Sequence, residues 1–330
     1  MKHLFVINPH SFRRRPDTLK QVLSEIENSF SNKGKTDYKI HISRYSRDAI
    51  SVIHCYIKKA GNETVRVYAV GGDGILFDCL NGMVNFPNAE LTSVPYGNAN
   101  DFIRSFGVNV TDKFRDIKNL SVGRSHPVDI INCGSNYAMN ELNIGIIGQT
   151  IINANKIFPY LPAKWLRKHI GLAYSICALK ALFNTELIQQ QYTVFVDGEE
   201  LNGNYCNIHL ANTAVNGGTL IPSPYAMPNS GSFEVLFANT SSLIRIATAI
   251  GEYNKGNFEK YDFFVHRKCR KLEVKSDTFL RVEMDGEGFI ARELQLEIIP
   301  GGIKFFAPEG LDFMDYSHMA YNNKKSGGKQ

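Results

Sequence analysis

Gly71-Gly72-Asp73-Gly74 closes the apolar run Val65-Arg66-Val67-Tyr68-Ala69-Val70 and sets one carboxylate among three glycines. Glycine lacks a Cβ and tolerates positive φ, so a phosphate can approach such a turn closely and bind its amide N–H groups. The residues that follow, Ile75 to Met83, space their apolar side chains as a helix does. A strand-to-helix turn suits an anion, because the first helical amides are unpaired and the macrodipole is positive there. Asp73 would repel phosphate directly. It fits such a turn if a divalent cation bridges the two, or if it accepts a proton. A Gly-rich turn with Asp73 as a helix cap is the bland alternative.

A second cluster shifts the balance. Leu91 to Val94 reads as another strand, followed by Pro95-Tyr96-Gly97-Asn98-Ala99-Asn100-Asp101-Phe102-Ile103-Arg104, a Pro/Gly turn opening a helix. Adjacent βα turns place both polar clusters at the carboxyl edge of one sheet, where open α/β folds bind ligands. Asp129 stands inside the apolar stretch Val128 to Ile131. A lone buried acid costs several kcal/mol unless it is paired or near a cation, so it is not idle. Asp-Gly-Glu occurs twice, at Asp197-Gly198-Glu199 and Asp285-Gly286-Glu287, and both read as hairpin turns whose Asp-Gly supplies positive φ.

The elements that carry these residues fall into two sets. Strand and helix alternate from residue 4 to about 121, which predicts a parallel α/β domain over residues 1–126. Its helix from Asp17 buries Leu19, Val22, Leu23, Ile26 and Phe30 and ends near Gly34. From residue 127 to 302 the pattern becomes short strands with Gly-rich turns and one helical interruption, which predicts a β-sandwich. The strands are placed at Tyr137 to Ile144, Gln191 to Val196, Tyr205 to Thr213, Ser232 to Phe237, Tyr261 to His266, Arg270 to Val274, Phe279 to Met284 and Leu294 to Ile299. Residues 322–330 are polar and expected to be disordered.

At 330 residues with 43% hydrophobic content the chain is an ordinary globular protein with room for two cores. Its formal charge of +5 fits anionic substrates or an anionic membrane surface and is too dispersed to argue for nucleic acid. Six scattered cysteines without metal-binding spacing read as buried thiols of a reducing compartment. The apolar stretch at the N-terminus is too short for a signal peptide. We therefore expect a cytoplasmic protein with peripheral membrane contact at most.

The two motifs in order, Gly71-Gly72-Asp73-Gly74 with Asn81-Gly82 and then Pro95-x-Gly97-x-x-Asn100-Asp101-Phe102-x-Arg104, resemble the diacylglycerol kinase catalytic-domain family. That family includes bacterial lipid kinases and sphingosine and ceramide kinases. The opening strand with Asn8-Pro9 is similar as well. The resemblance implies an ATP-dependent lipid kinase with Mg²⁺, acting on a lipid hydroxyl at the inner membrane surface, with no assembly state fixed and a homodimer among those open. It implies that the chain rejoins the first domain at about 303–321. Asn8, Gly71, Gly72, Asp73, Gly74, Gly97, Asn98 and Asn100 would line the nucleotide site, and Asp73, Asp101 and Asp129 would order Mg²⁺ through water. Of the two Asp-Gly-Glu turns, the late one faces the cleft in similar kinases, so Asp285 is expected as the base and Glu287 near the metal or phosphates. Asp73 is the rival base.

Departures from the pattern matter too. Relatives usually carry Thr where Ile75 and Asn98 stand, a small residue or Gly at Ala99, and Gly where Phe12 stands. One lost hydroxyl bond to a phosphate costs about 1.5 to 3 kcal/mol, which weakens ATP binding without abolishing it. Asn229 and Ser230 occupy a loop where several relatives hold a structural Mg²⁺ with acids, and neutral ligands bind it poorly. Phe158 to Lys168 joins the only tryptophan, Trp165, to three cations, as a bilayer anchor does; a core-packed helix start is the alternative. A non-catalytic lipid-binding relative and an NAD kinase, which shares the glycine motif alone, are the competing functions.

Overall fold

Two apolar runs ending in glycine or proline form the middle of the fold. In the computed structural model, which describes residues 1–318 except 14, 32–36, 119, 121, 189 and 241, they are strands buried at every residue. The N-terminal part runs β1 (Lys2–Ile7), α1 (Pro16–Phe30), β2 (Asp37–Ile42), α2 (Asp48–Ala60), β3 (Val65–Gly71), α3 (Asp73–Met83) and β4 (Ala89–Pro95). The strands lie parallel in the order β2-β1-β3-β4. Parallel strands need helical crossovers on the sheet faces, which is why β3 and β4 carry continuous apolar sequence. The amphipathic helices supply the cover through Val22, Ile26 and Phe30 of α1 and Ile53 and Ile57 of α2.

Two short helices, α4 (Asp101–Arg104) and α5 (Thr111–Arg115), lead to β5 (Gly123–Asn132), β6 (Tyr137–Ala138) and β7 (Glu141–Gly145). Four helices follow: α6 (Ile146–Ile157), α7 (Ala163–Lys168), α8 (Ile170–Leu182) and α9 (Thr185–Ile188). The C-terminal strands are β8 (Gln191–Val196), β9 (Glu199–Glu200), β10 (Gly203–Asn204), β11 (Asn207–Ala211) and β12 (Phe233–Ala238). After α10 (Leu243–Tyr253) come β13 (Phe264–Cys269), β14 (Lys271–Met284) and β15 (Glu287–Pro308).

This second part is the antiparallel β-sandwich. The early residues of β14 pair with β8 and the late ones with β7, so β14 serves both layers and a second core fills the space between.

The 22-residue β15 crosses the molecule. It pairs with β14 first, then with β5, and at Phe305 it lies parallel to Leu91 of β4. An irregularity between Ile299 and Ile303 redirects it. Asp129 fastens this bend: its carboxylate accepts from the amides of Gly301 at 2.8 Å and Gly231 at 2.6 Å.

Several expectations need correction. A further helix, α10, stands where only strands were expected; its Ser242 cap and the spacing of Leu243, Ile246, Ala249 and Tyr253 carry the helical signal. The expected helical interruption is four helices, and the strand expected from Tyr137 to Ile144 is broken at Met139-Asn140. The strand placed from Tyr261 begins at Phe264 instead, after a 3-10 turn at Phe258–Lys260. The expected disorder of residues 322–330 and the helix end at Gly34 lie outside the described residues.

Arg66 ties the α/β layer together. Its buried guanidinium donates to Glu90 at 2.6 Å and to the Leu120 carbonyl at 2.8 Å, and stacks on Phe306 of β15. Ser125 of β5 also donates to Glu90. Removing one partner strands the other charge, so Arg66→Ala is expected to lower unfolding free energy by about 3 to 5 kcal/mol, read from the urea midpoint.

Candidate active site

Three βα turns meet at the carboxyl end of the parallel sheet. β3 ends at Gly71, whose carbonyl accepts from the amides of Tyr96 at 2.6 Å and Gly97 at 2.9 Å. A Cβ on Gly97 would lie 2.3 Å from the Cα of Gly72, so this approach admits no side chain on either residue. Asn8 lies against Gly71 from the third turn, and its side chain accepts from His10 N at 3.0 Å. No side chain caps the start of α3, and the space beyond Gly74 is open. Asn98 is exposed at the rim and Ile75 is buried beneath it all. The result is a cradle of glycines and first-turn amides that fits phosphate oxygens.

The acids around it are held by backbone amides. Asp73 accepts from Asn100 N at 2.9 Å and Asp101 N at 2.8 Å, which locks the first turn to the second. Asn100 adopts φ 52° and closes its own turn by exchanging hydrogen bonds with Gly97, both at 3.0 Å. Asp101 reaches across to the sandwich and accepts from Gly217 N at 3.1 Å and Gly218 N at 2.5 Å.

Asp285 sits at φ 46° in the β14–β15 hairpin, and its carboxylate accepts from Met139 N at 2.7 Å and from Asn140 N and Glu141 N at 3.0 Å each. Asp197 has the same turn form, φ 49°, yet it is exposed and binds the amides of Arg270 and Lys271. Glu287 follows Asp285 and its charge is felt by Asp78 on α3.

Burial and mutual repulsion set the electrostatics. Asp73 is pushed up by burial against the pull of its two amides. Asp101 is pushed up to about 8 by burial and then by the charge of Asp73. Asp285 rises to about 6, with burial opposed by its three amides and the charge of Asp73 adding to the rise. Asp73, Asp101 and Asp285 thus share one electrostatic neighbourhood, whereas Asp129 spends its carboxylate on Gly231 and Gly301. Among the described residues, no three His, Cys, Asp or Glu side chains stand close enough to ligate one ion directly. Asp73 and Asp101 are hard oxygen donors in one electrostatic neighbourhood, each already fixed by amides, and such a set fits a cation that keeps most of its own water.

Comparison with known proteins follows the same division of the chain. Residues 2–133 match the model described as diacylglycerol kinase catalytic domain, and residues 162–307 match the YegS C-terminal NAD kinase beta sandwich-like domain. The chain belongs to the diacylglycerol kinase catalytic-domain family. A protein of Shewanella frigidimarina named "Probable lipid kinase YegS-like" is 24% identical over 271 residues, covering 80% of this chain and 84% of that one. A Staphylococcus haemolyticus protein named "Putative lipid kinase SH2167" is 24% identical over 251 residues, 74% and 78% of the two chains. The crystal structure of a diacylglycerol kinase from Bacillus anthracis superposes with a TM-score of 0.65 at 17% identity, covering 94% and 98%. At that identity the likeness shows the shared fold.

Within this lipid kinase fold lies a polar network that sequence reasoning missed. Glu141 of β7 is largely but not fully buried, with His209 Nε2 at 3.0 Å and Asn216 Nδ2 at 2.5 Å from its Oε2, and Tyr253 of α10 bonds the far side of His209 at 2.9 Å. Glu283 accepts from Asn143 at 2.7 Å and from Gly286 N at 2.6 Å. Burial pushes Glu141 up to about 8 and His209 down to about 4, so neutral partners share this hydrogen bond. The signal was present in Asn140-Glu141-Leu142-Asn143, where polar residues interrupt an apolar strand just as Asp129 does.

These raised carboxyl pKa values make a prediction. Between about pH 4 and 8 the folded chain holds protons on Asp101, Glu141 and Asp285 that the unfolded chain has released, so stability falls as pH rises through that window. Urea midpoints from pH 4.5 to 8.5 are expected to show this fall. Asp101→Asn is expected to make it shallower.

Proposed function

We propose that this kinase-family chain transfers the γ-phosphoryl group of ATP to a lipid hydroxyl, with diacylglycerol as the first acceptor to test. The observation that carries the reading is the placement of Asp285, a buried carboxylate at about 6, in the same electrostatic neighbourhood as the glycine cradle's Asp73. A base needs a pKa near or below the working pH and reach to the hydroxyl proton. Positioning and charge neutralisation do the remainder in phosphoryl transfer.

In this reading the amides from Gly71 to Gly74 and the start of α3 hold phosphate oxygens, and Asn8, Gly97, Asn98 and Asn100 line the nucleotide side. Bound Mg²⁺ would neutralise charge on the phosphates, and Asp73 and Asp101 are the residues that would hold its water shell. Asp129 adds charge at longer range, and Glu287 lies next to the phosphates. Asp285 takes the hydroxyl proton as the acceptor oxygen bonds the γ-phosphorus. The bond to the bridging oxygen breaks and ADP leaves.

Amides occupy both oxygens of Asp73 as they do those of Asp285. What makes Asp73 the weaker candidate for the base in this reading is its part in holding the water shell of Mg²⁺, which leaves it poorly placed to reach the hydroxyl proton. A cytoplasmic protein working at the inner membrane face follows from the same reading. Among the described residues no helix is long and apolar enough to cross a membrane.

The test is a labelled-ATP assay over a lipid panel with organic extraction of product. Asp285→Asn is expected to lose about 10²-fold or more in kcat, while Asp197→Asn in the matching exposed turn stays near wild type. Equal losses would refute the assignment. In the wild type, kcat/KM is expected to rise with pH through about 6 as Asp285 loses its proton.

Nucleotide use is checked separately. Millimolar Mg-ATP is expected to raise the melting temperature of wild type and of Asp285→Asn alike; no shift in either would favour a lipid-binding protein without catalysis.

A further inference from the structure

Helix α8 buries only a narrow stripe of small residues, Ala173, Cys177 and Ala181. It docks on α6, where Asn153 donates to the Cys177 carbonyl at 3.2 Å. The opposite side is apolar and uncovered. Leu172, Ile176, Leu179 and Phe183 recur at i, i+4, i+7 and i+11, so they project from one face, and they are 54%, 53%, 54% and 74% exposed. A contiguous apolar stripe of this kind on a soluble protein marks an interaction surface.

The charge around it identifies what it meets. Between Glu141 and Glu186 the sequence contains no acid and five cations: Lys156, Lys164, Arg167, Lys168 and Lys180. Trp165 and Tyr160 are exposed just before α8. An isologous contact between two copies would set this cationic segment against itself, which is repulsive. An anionic bilayer surface complements both features, with the apolar face in the acyl boundary and the cations among headgroups. At about 1.5 Å per residue α8 is far shorter than a bilayer core of about 30 Å, so it would lie in the membrane plane.

We propose that the exposed stripe of α8, flanked by the lysines of α6 and α7, is the surface that seats this protein in an anionic lipid bilayer. Its position suits the acceptor: the Tyr174 hydroxyl, on the same helix, lies within electrostatic reach of Glu283 and Asp101. The proposal rests on the lipid kinase reading for its purpose, but its test does not.

The single tryptophan is the probe. Trp165 emission of the full chain is expected to shift to the blue on titration with phosphatidylglycerol vesicles and to stay unchanged with phosphatidylcholine. The double variant Ile176→Glu/Leu179→Glu alters exposed positions, so its melting temperature should hold while the vesicle-bound fraction on sedimentation falls at least tenfold. Should that variant fail to fold, Lys164→Glu/Lys168→Glu on exposed cations is expected to give the same loss.

Phosphorylation of long-chain diacylglycerol in vesicles should fall in parallel, while that of a water-soluble short-chain analogue is kept. Vesicle binding lost in the variants, with no lipid phosphorylated by wild type, would leave this surface standing and remove the kinase reading. Wild-type protein that ignores anionic vesicles, variants that bind as wild type does, or a native dimer that dissociates in the double variant would each overturn the surface.

Discussion

The carboxylate of Asp101 on the amides of Gly217 and Gly218 is the joint on which the cleft depends. Two consecutive N–H groups can point at one carboxylate only if the backbone curls, and both glycines take positive φ, 56° and 81°. Asp101 itself is placed by its own amide on Asp73, and Asp73 by the start of α3. One chain of hydrogen bonds from backbone amides to carboxyl oxygens therefore runs from the glycine cradle into the sandwich, and it holds the two walls at a fixed spacing.

The same device recurs at Asp129 and Asp285. Each buried acid is answered by peptide amides rather than by lysine or arginine. Amides offset part of the desolvation cost but bring no full positive charge, so repulsion among Asp73, Asp101, Glu141 and Asp285 persists. The cleft is left short of positive charge in the place where a cation would be useful. Structural order and electrostatic appetite come from one arrangement.

Much of this was legible in the chain. Apolar runs that stop at Gly71 and Pro95 mark strands buried on both faces, and the polar residues after them fall at the sheet edge by topology alone. The two Asp-Gly-Glu turns were legible as hairpins, because positive φ at Asp-Gly is a local property.

What stayed hidden was non-local. Asp129 shows as an acid in an apolar strand, but its partners Gly231 and Gly301 are far away in the sequence. The Glu141, His209 and Tyr253 chain joins two strands and a helix through single side chains, and no periodicity reports such a meeting. Helix α10 had a local signal, the Ser242 cap before an amphipathic run from Leu243 to Tyr253, and the expectation of strands alone passed over it.

The long β15 has a consequence for how this molecule comes into being. β4 gains its second neighbour only at Phe305, and β5 pairs along most of its length with residues 297–308. During synthesis the first half of the chain emerges with an open sheet edge and must wait for nearly the last residues of the sandwich before that edge is closed. Domains commonly fold as units from the N-terminus onward, and an open edge invites pairing with other chains. Here the sheet is completed by its most distant strand, so the late residues act as the latch of a fold that the ribosome delivers in the wrong order.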